Sequence, residues 1–276
     1  PDRLDRAGRR VVSLVQLIVL ALIQGLTEYL PVSSSAHLIL GSLFFQWPDQ
    51  GLVVDTATHL GTLLAVIVYF RKDLLEMAAA WFRPVENASD RQHRNIALYL
   101  GLASIPVLLV GGLAHSWIEL YLRDIRIVAW STVVFGVLLG IAHLKGPQRR
   151  EIEGFNLKSA LLVGLAQALA LIPGTSRSGI TITAARFLGF TPEASARFSF
   201  LLAIPVVAAA GLYSALKIAG GEAPVEWFQF FIAVGVSALA GWACIAAFLA
   251  LLQRIGLMPF VVYRLLLGAL LFWIIY

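Results

Sequence analysis

The chain has 276 residues, of which 59% are hydrophobic and 13% are charged, and its formal net charge at pH 7 is +5. Soluble domains contain about 45–50% apolar and about 25% charged residues, so this composition excludes an ordinary soluble protein and predicts a polytopic membrane protein. Nucleic-acid binding is excluded too, because the Lys and Arg residues cluster between apolar runs, where the positive-inside rule of membrane topology accounts for them.

Apolar runs follow one another along almost the whole chain, without the alternating rhythm of barrel strands. They lie at 11–30, 36–46, 52–70, 95–114, 127–144, 157–172, 180–190, 195–216, 226–252 and 258–276. Two of them, 36–46 and 180–190, are shorter than the roughly 20 residues that span a bilayer, and each follows a Pro- and Ser-rich break typical of a re-entrant hairpin. The predicted fold class is therefore an all-α polytopic membrane protein with about six spanning helices and two re-entrant helical hairpins.

The first break, LPVSSSAH at 30–37, carries polar groups where a membrane helix is expected to be apolar. An acid at the centre of a span costs about 2.5–3.5 kcal/mol, so its presence there indicates a function. Gln24 and Glu28 precede the break four residues apart, which puts both on one helix face. The break itself offers hydroxyl and imidazole groups from Ser33, Ser34, Ser35 and His37. Because small residues leave backbone N–H groups free, we interpret the segment as part of a site rather than as packing.

Two acid–base pairs occur further along the chain. Asp55 and His59 are four residues apart on one predicted helix, and so are Glu193 and Arg197. Two interpretations stay open for each pair: a buried ion pair that fixes the helix register, or a part of the functional site.

The distribution of Lys and Arg predicts the topology. The segments 71–94 and 145–158, which are predicted to be loops, are rich in basic residues, whereas the short loops on the opposite side hold only Arg123, Arg126 and Lys217. Both basic segments are therefore predicted to be cytoplasmic, so that the first hairpin opens to the outside and the second to the cytoplasm. The arginines of the N-terminal ten residues run against this rule, because the same topology places them outside.

The second break, IPGTSRSG at 172–179, is suited to binding an anion. Small residues in a turn can aim several N–H groups into one concavity, and the start of the following helix adds favourable partial charge. Arg177 adds a bidentate donor that matches phosphate oxygens. The substrate-binding residues predicted beside it are Gly174, Thr175, Ser176 and Ser178. The predicted ligand is a phosphorylated amphiphile whose tail stays in the bilayer, with a divalent cation bridging its phosphates to the carboxylate of Glu28.

The two breaks also suggest an internal repeat. Aligning Pro31 with Pro173 sets PVSSSAH against PGTSRSG, with Gln24 and Gln167 at nearly the same distance upstream. At a second constant offset, the segment DTATHLGTLLA matches EASARFSFLLA. Each half then consists of a re-entrant hairpin, an acid–base pair and three spanning helices.

If each hairpin returns to its own side of the membrane, each half crosses the membrane three times. Because three is odd, the halves are then predicted to be inverted relative to one another within a single membrane domain. Repeat one covers about 11–144 and repeat two about 157–276. Inverted repeats with paired broken helices place a polar site near the bilayer midplane, at the interface between the repeats.

The motifs together resemble a known enzyme family. Glu or Gln, three residues, Glu and LPVSS-x-x-H, followed in the second half by PG-x-SRSG, is similar to the bacitracin-resistance family of undecaprenyl pyrophosphate phosphatases, and the resemblance covers essentially the whole chain. It implies hydrolysis of undecaprenyl pyrophosphate to undecaprenyl phosphate and inorganic phosphate, which recycles the carrier lipid for cell-wall synthesis and confers bacitracin resistance. It also implies a divalent cation, Mg²⁺ or Ca²⁺, and a bacterial plasma (inner) membrane enzyme whose active site opens to the periplasmic face.

Carried onto this chain, the resemblance assigns the site to Gln24, Glu28, Ser34, His37, Ser176 and Arg177. Since the first member of the acid pair is Gln, Glu28 is the better metal ligand. We expect Arg177 and the loop N–H groups to hold the pyrophosphate, with His37 as general base or acid. The attacking group is water or Ser34 Oγ, and the residues leave both open.

Three other functions fit the residues less well. A polyprenyl-phosphate lipid transporter or flippase would use the same headgroup site, but it would not need the set of acid, Ser, His and Arg. A type-2 phosphatidic acid phosphatase is excluded, because Thr183 stands where that family has His. A structural scaffold explains none of the polar clusters. Four glycines that permit close helix packing, Gly111, Gly112, Gly136 and Gly140, suit either a homodimer or an internal helix contact.

Overall fold

The computed structural model describes residues 12–45, 47, 51–84, 87–122, 124–221 and 224–276, which are helical almost throughout. The N-terminal arginines and Arg123 lie outside these ranges. In chain order the α-helices are α1 (Leu14–Thr27), α2 (Ser34–Phe45), α3 (Gly51–Tyr69), α4 (Arg71–Phe82), α5 (Ala88–Tyr121), α6 (Ile125–Lys145), α7 (Leu157–Ala168), α8 (Arg177–Phe187), α9 (Pro192–Ala219), α10 (Trp227–Ile255) and α11 (Met258–Ile275). Short 3₁₀ turns lie at Ile152–Gly154 and Leu169–Leu171.

Six of the described helices are long and apolar enough to cross a membrane: α3, α5, α6, α9, α10 and α11. Large apolar side chains stand exposed on them, such as Leu113 and Trp273, as lipid-facing surfaces require. The prediction of an all-α polytopic membrane protein is confirmed. The remaining pairs α1–α2 and α7–α8 have helices of 11 to 14 residues, too short to span, and they lie where the re-entrant hairpins were predicted.

The segment 71–94, predicted as a basic loop, is mostly helical, and that part of the prediction was wrong. Helix α4 packs beside α5, burying Met77 and Ala80, while Phe82 at its end is exposed. Asn87 caps α5 by accepting a hydrogen bond from the Asp90 N–H. An amphipathic helix of this length contains no long apolar run, so a search for such runs does not reveal it.

The two halves interlock instead of standing side by side. The first helix of each hairpin packs against a spanning helix of the other half: α1 against α10, and α7 against α5. Helix α3 also approaches α10 closely, because a Cβ at Gly61 would overlap Ser237 Oγ. Gly136 and Gly140 face Arg264 and Val261 of α11, so of their two interpretations the internal contact is the observed one.

The breaks have matching backbones. Ser33 and Ser176, each directly before a short helix, have φ of 74° and 69° and are the non-glycine residues with positive φ in the described chain. Capping boxes at Ser13 and Asn156 begin α1 and α7. Within each of these pairs the two residues are the same distance apart in sequence, and so are Gln24 and Gln167. That distance is one residue longer than the distance from Pro31 to Pro173. The alignment used above was therefore wrong by one residue, and Ser34 corresponds to Arg177.

Candidate active site

The two breaks meet in space and enclose a polar cavity. Ser178 Oγ donates to the Leu30 carbonyl at 2.8 Å, and the Gly174 N–H donates to Ser35 Oγ at 3.3 Å. The cavity between them has a volume of about 160 Å³. Its lining consists of Glu28, Ser33, Ser34, Ser35, Ala170, Ser176 and Arg177. Residues from both halves of the chain therefore line one cavity.

Glu28 lies at the centre of the hydrogen-bond network. Its Oε2 accepts from Gln24 Nε2 at 2.9 Å and from Ser34 Oγ at 3.1 Å. Its Oε1 faces Arg177 Nη2 at 3.3 Å, and the two side chains are 9% and 11% exposed respectively. A nearly buried ion pair thus joins the end of α1 to the start of α8. A carboxylate that accepts from a serine hydroxyl can also take the proton of that hydroxyl.

Arg177 is held by more than its acid. Its Nη1 donates to the Ser199 carbonyl of α9 at 3.2 Å, and its guanidinium lies 5.7 Å from the centroid of the Tyr29 ring. The Tyr29 hydroxyl in turn donates to the Thr62 carbonyl at 2.6 Å. These contacts fix the guanidinium at the cavity wall, where its planar donors suit phosphate oxygens.

Both short helices begin with the same serine arrangement. Ser33 and Ser35 hydroxyls lie 3.1 Å apart, and Ser176 and Ser178 hydroxyls 3.2 Å apart. The first serine of each pair also accepts a hydrogen bond from a backbone N–H in the first turn, at Ala36 or at Gly179. The other first-turn N–H groups lack intrahelical partners and favour an anion there.

His37 lies beside the cavity but is not part of its lining. Its Nδ1 is 2.7 Å from the Ser33 carbonyl, and its Nε2 is 2.5 Å from the Tyr263 hydroxyl, with the two rings stacked. Because a carbonyl only accepts, Nδ1 carries the hydrogen and Nε2 accepts from Tyr263. The described structure therefore gives His37 no hydrogen bond to Glu28, Ser34 or Arg177, although the sequence interpretation grouped them.

Three residues predicted to bind substrate lie behind the cavity wall. Gly174 has φ of 90° and packs so closely on α6 that a Cβ would overlap Ser131 Oγ. Thr175 is fully buried, and its hydroxyl has no hydrogen-bond partner in the described chain. The Ser178 hydroxyl is directed to the Leu30 carbonyl. These three shape the second break, whereas Ser33, Ser35 and Ser176 line the cavity itself.

The residues fit a divalent cation only if the substrate supplies further ligands. Within the described ranges no group of three or more His, Cys, Asp or Glu side chains could hold a metal ion, and Glu28 is the one carboxylate of the cavity lining. Beside it, the buried Oε1 of Gln24 has no hydrogen-bond partner in the part of the chain that the structure describes. Mg²⁺ usually takes one or two carboxylates together with substrate phosphates and water, so this donor set is suitable for a cation shared with a diphosphate.

The acid–base pairs turn out differently from one another. His59 Nδ1 and Asp55 Oδ1 are 3.7 Å apart within α3. Arg197 bonds to Asp73 of α4 at 2.6 Å and not to Glu193, so it links the two halves. Spacing along one helix could not reveal this partner, because Asp73 lies far away in sequence. Sequence reasoning also gave no role to Tyr263 and Arg264, for which the only signal is an ionisable group in an apolar run.

Comparison with known proteins gives consistent results. The family model described as "Bacitracin resistance protein BacA" matches residues 17–270. An "Undecaprenyl-diphosphatase" of Hahella chejuensis is 51% identical over 94% of this chain and 98% of its own length. An "Undecaprenyl-diphosphatase 1" of Pseudoalteromonas translucida is 48% identical over 93% and 96%. An "Undecaprenyl-diphosphatase" of Teredinibacter turnerae is 48% identical over 94% and 98%.

Proposed function

This chain belongs to the bacitracin resistance protein BacA family, and we propose that the cavity between its two breaks is where it hydrolyses undecaprenyl diphosphate. The reaction yields undecaprenyl phosphate and inorganic phosphate, recycling the carrier lipid in the bacterial plasma membrane. The observation that carries the assignment of the site is the Glu28–Arg177 pair, because it brings the acid that precedes the first break and the arginine of the second break into a single polar cavity.

The diphosphate is bound by Arg177 and by the backbone N–H groups that begin α2 and α8. Electrostatic stabilisation of this kind supplies most of the rate gain in phosphoryl transfer. A divalent cation, Mg²⁺ or Ca²⁺, held by Glu28 with Gln24, would neutralise further phosphate charge when bound. The isoprenoid tail remains among the lipid-facing helices.

Of the two attacking groups left open by the sequence, the geometry favours Ser34 Oγ. Its contact with Glu28 Oε2 at 3.1 Å is that of a nucleophile with its base. Ser34 Oγ attacks the terminal phosphorus, its proton passes to Glu28, and undecaprenyl phosphate leaves with the electrons of the broken P–O bond. Water then attacks the phosphoserine, its proton passes to His37, and Ser34 Oγ leaves phosphorus and takes back the proton held by Glu28, which releases phosphate and restores both side chains. His37 is proposed as the acid–base group for the water, a role in which Nε2 exchanges Tyr263 for the reacting molecule.

Three further assignments are proposals of the same kind. The cavity opens to the periplasmic face, as the family resemblance implies; the first break opens to that face if the basic segments 71–94 and 145–158 are cytoplasmic. The halves 11–144 and 157–276 form a single domain as inverted repeats, supported by their matching caps and breaks. A homodimer stays a prediction, with Gly136 and Gly140 already occupied by α11.

The test is phosphate release from undecaprenyl diphosphate by purified protein in detergent, with and without a chelator. We expect release by the wild type, its loss on chelation, and its loss in Glu28→Gln and Arg177→Lys. Arg126→Lys is the control, because Arg126 pairs with the exposed Asp124 outside the cavity. Full turnover in Glu28→Gln or Arg177→Lys would show that the cavity is not the active site. A wild type that binds the lipid without releasing phosphate would support the transporter, which the names of the relatives do not favour.

A further inference from the structure

Arg264 is a fully buried cation that pairs with no acid among the described residues. It lies in the middle of α11 with 0% exposure. All of its hydrogen-bond acceptors in the described chain are backbone carbonyls. A guanidinium within a membrane protein is costly unless such contacts satisfy it, so its presence indicates a role.

The carbonyls that Arg264 binds belong to both breaks and to α6. The shortest contacts, both 2.9 Å, join Nη1 to the Thr175 carbonyl and Nη2 to the Gly174 carbonyl. A longer one of 3.5 Å reaches the Pro31 carbonyl of the first break. The remaining two go to the carbonyls of Ser131 and Thr132. One planar side chain therefore connects three separate segments, which the point charge of lysine could not do.

The contact with Thr175 determines the direction of the next N–H group. In a trans peptide the C=O and the following N–H point in opposite directions, and the structure contains no cis bond in its described residues. The Thr175 carbonyl faces Arg264, so the Ser176 N–H is directed away from it. Ser176 lines the cavity, and its N–H has no acceptor in the described chain. By contrast, the Thr175 N–H is already bonded to the Ile172 carbonyl.

Ser176 is also where the backbone is strained. Its φ of 69° is rarely adopted by a residue with a side chain, and such a conformation persists only if its surroundings hold it. Helix α8 starts at the next residue, Arg177, and its first turn lies directly on the guanidinium. A Cβ at Gly179 would come within 3.1 Å of Arg264 Nη1.

We infer that Arg264 is a positioning residue for the reaction: it holds the Thr175–Ser176 peptide so that the Ser176 N–H faces the diphosphate and Arg177 begins α8 beside Glu28. It acts through the backbone and does not touch substrate. This inference rests on the cavity being the active site, as proposed above.

The chain contains a matched control. Arg186 is likewise fully buried, and it likewise donates to backbone carbonyls, those of Pro147, Phe190, His143 and Gly146. It stands near the other end of α8, outside the cavity lining. Replacement of either arginine by lysine removes the same kind of contact from the same degree of burial, and only Arg264 is joined to the breaks.

The experiment compares Arg264→Lys with Arg186→Lys in purified protein, measuring kcat, KM, the inhibition constant of inorganic pyrophosphate and Tm. We expect kcat/KM to fall about 10²-fold in Arg264→Lys, the loss typical of one misdirected oxyanion donor. Inhibition by pyrophosphate should weaken about tenfold, as for one lost hydrogen bond to an anion. Arg186→Lys should keep both values at a similar fall in Tm. Added guanidinium ion should restore part of the activity of Arg264→Ala.

Two results would overturn the inference: unchanged kcat/KM and pyrophosphate inhibition in Arg264→Lys, or equal losses in both lysine variants. A third variant, Arg177→Lys, separates this inference from the proposed site. If Arg177→Lys is inactive while Arg264→Lys is fully active, the site stands and the role of Arg264 fails. If Arg177→Lys is fully active, the site itself is wrong.

Discussion

The Glu28–Arg177 pair should couple the stability of the two halves. The charged atoms are 3.3 Å apart and both side chains are about one-tenth exposed. At an effective dielectric constant of about 20, two unit charges at this distance attract by about 5 kcal/mol. Desolvation of the two groups offsets much of this attraction, so the intact pair contributes little net stability. Removing one partner is different, because it leaves the other charge nearly buried and unpaired.

We therefore expect Glu28→Gln and Arg177→Gln each to destabilise the protein by about 3 kcal/mol. This value is at the lower end of the cost of breaking a buried ion pair, because water in the cavity can solvate the remaining charge. The double variant should be less destabilised than the sum of the two by at least about 1 kcal/mol. The assay is unfolding in detergent followed by tryptophan fluorescence, for the wild type and the three variants. Strictly additive losses would refute the reasoning, since they would mean that the two charges do not interact.

Two further outcomes follow from particular contacts. Ser178→Ala should lower Tm slightly, because it removes one of the two hydrogen bonds that the part-buried Leu30 carbonyl accepts, at a cost of about 0.5–1.5 kcal/mol, while the bond from the Val32 N–H remains. It should change KM less than twofold, and a large rise in KM measured by phosphate release would instead return Ser178 to the substrate-binding residues. Gly61→Ala should destabilise the protein by about 1–3 kcal/mol, because the added Cβ overlaps Ser237. The control is Gly101→Ala, which should be neutral or stabilising, because nothing lies within 4 Å of the added Cβ. Equal Tm values in the two variants would contradict the close approach of α3 and α10.

Much of the architecture could be predicted from local patterns. The lengths of the apolar runs and the positions of the two breaks together distinguished six spanning helices from the hairpins, because bilayer thickness sets a minimum length for a span. The four-residue spacing of Gln24 and Glu28 predicted that they share a helix face, and in the structure they are hydrogen-bonded. The Pro- and Ser-rich breaks predicted where helices stop, because their residues favour turns and caps over helix interiors.

Other features were decided only by the tertiary structure. The packing of helices that are distant in sequence determines which polar residues line the same cavity. It brings Glu28 into contact with Arg177, 149 positions further along the chain, and it places His37 against Tyr263. The same packing pairs Arg197 with Asp73. It also leaves Gly174, Thr175 and Ser178 outside the lining of the cavity.

The role of Arg264 belongs to this second group. The sequence by itself determined that an arginine stands in an apolar helix. Its acceptors are backbone carbonyls, and since every residue has one, the sequence does not show which of them Arg264 binds. Helix periodicity and apolar length are short-range properties that the chain carries locally. The direction of a peptide group in a break is set by what packs against it, and that is decided when the two halves of the chain interlock.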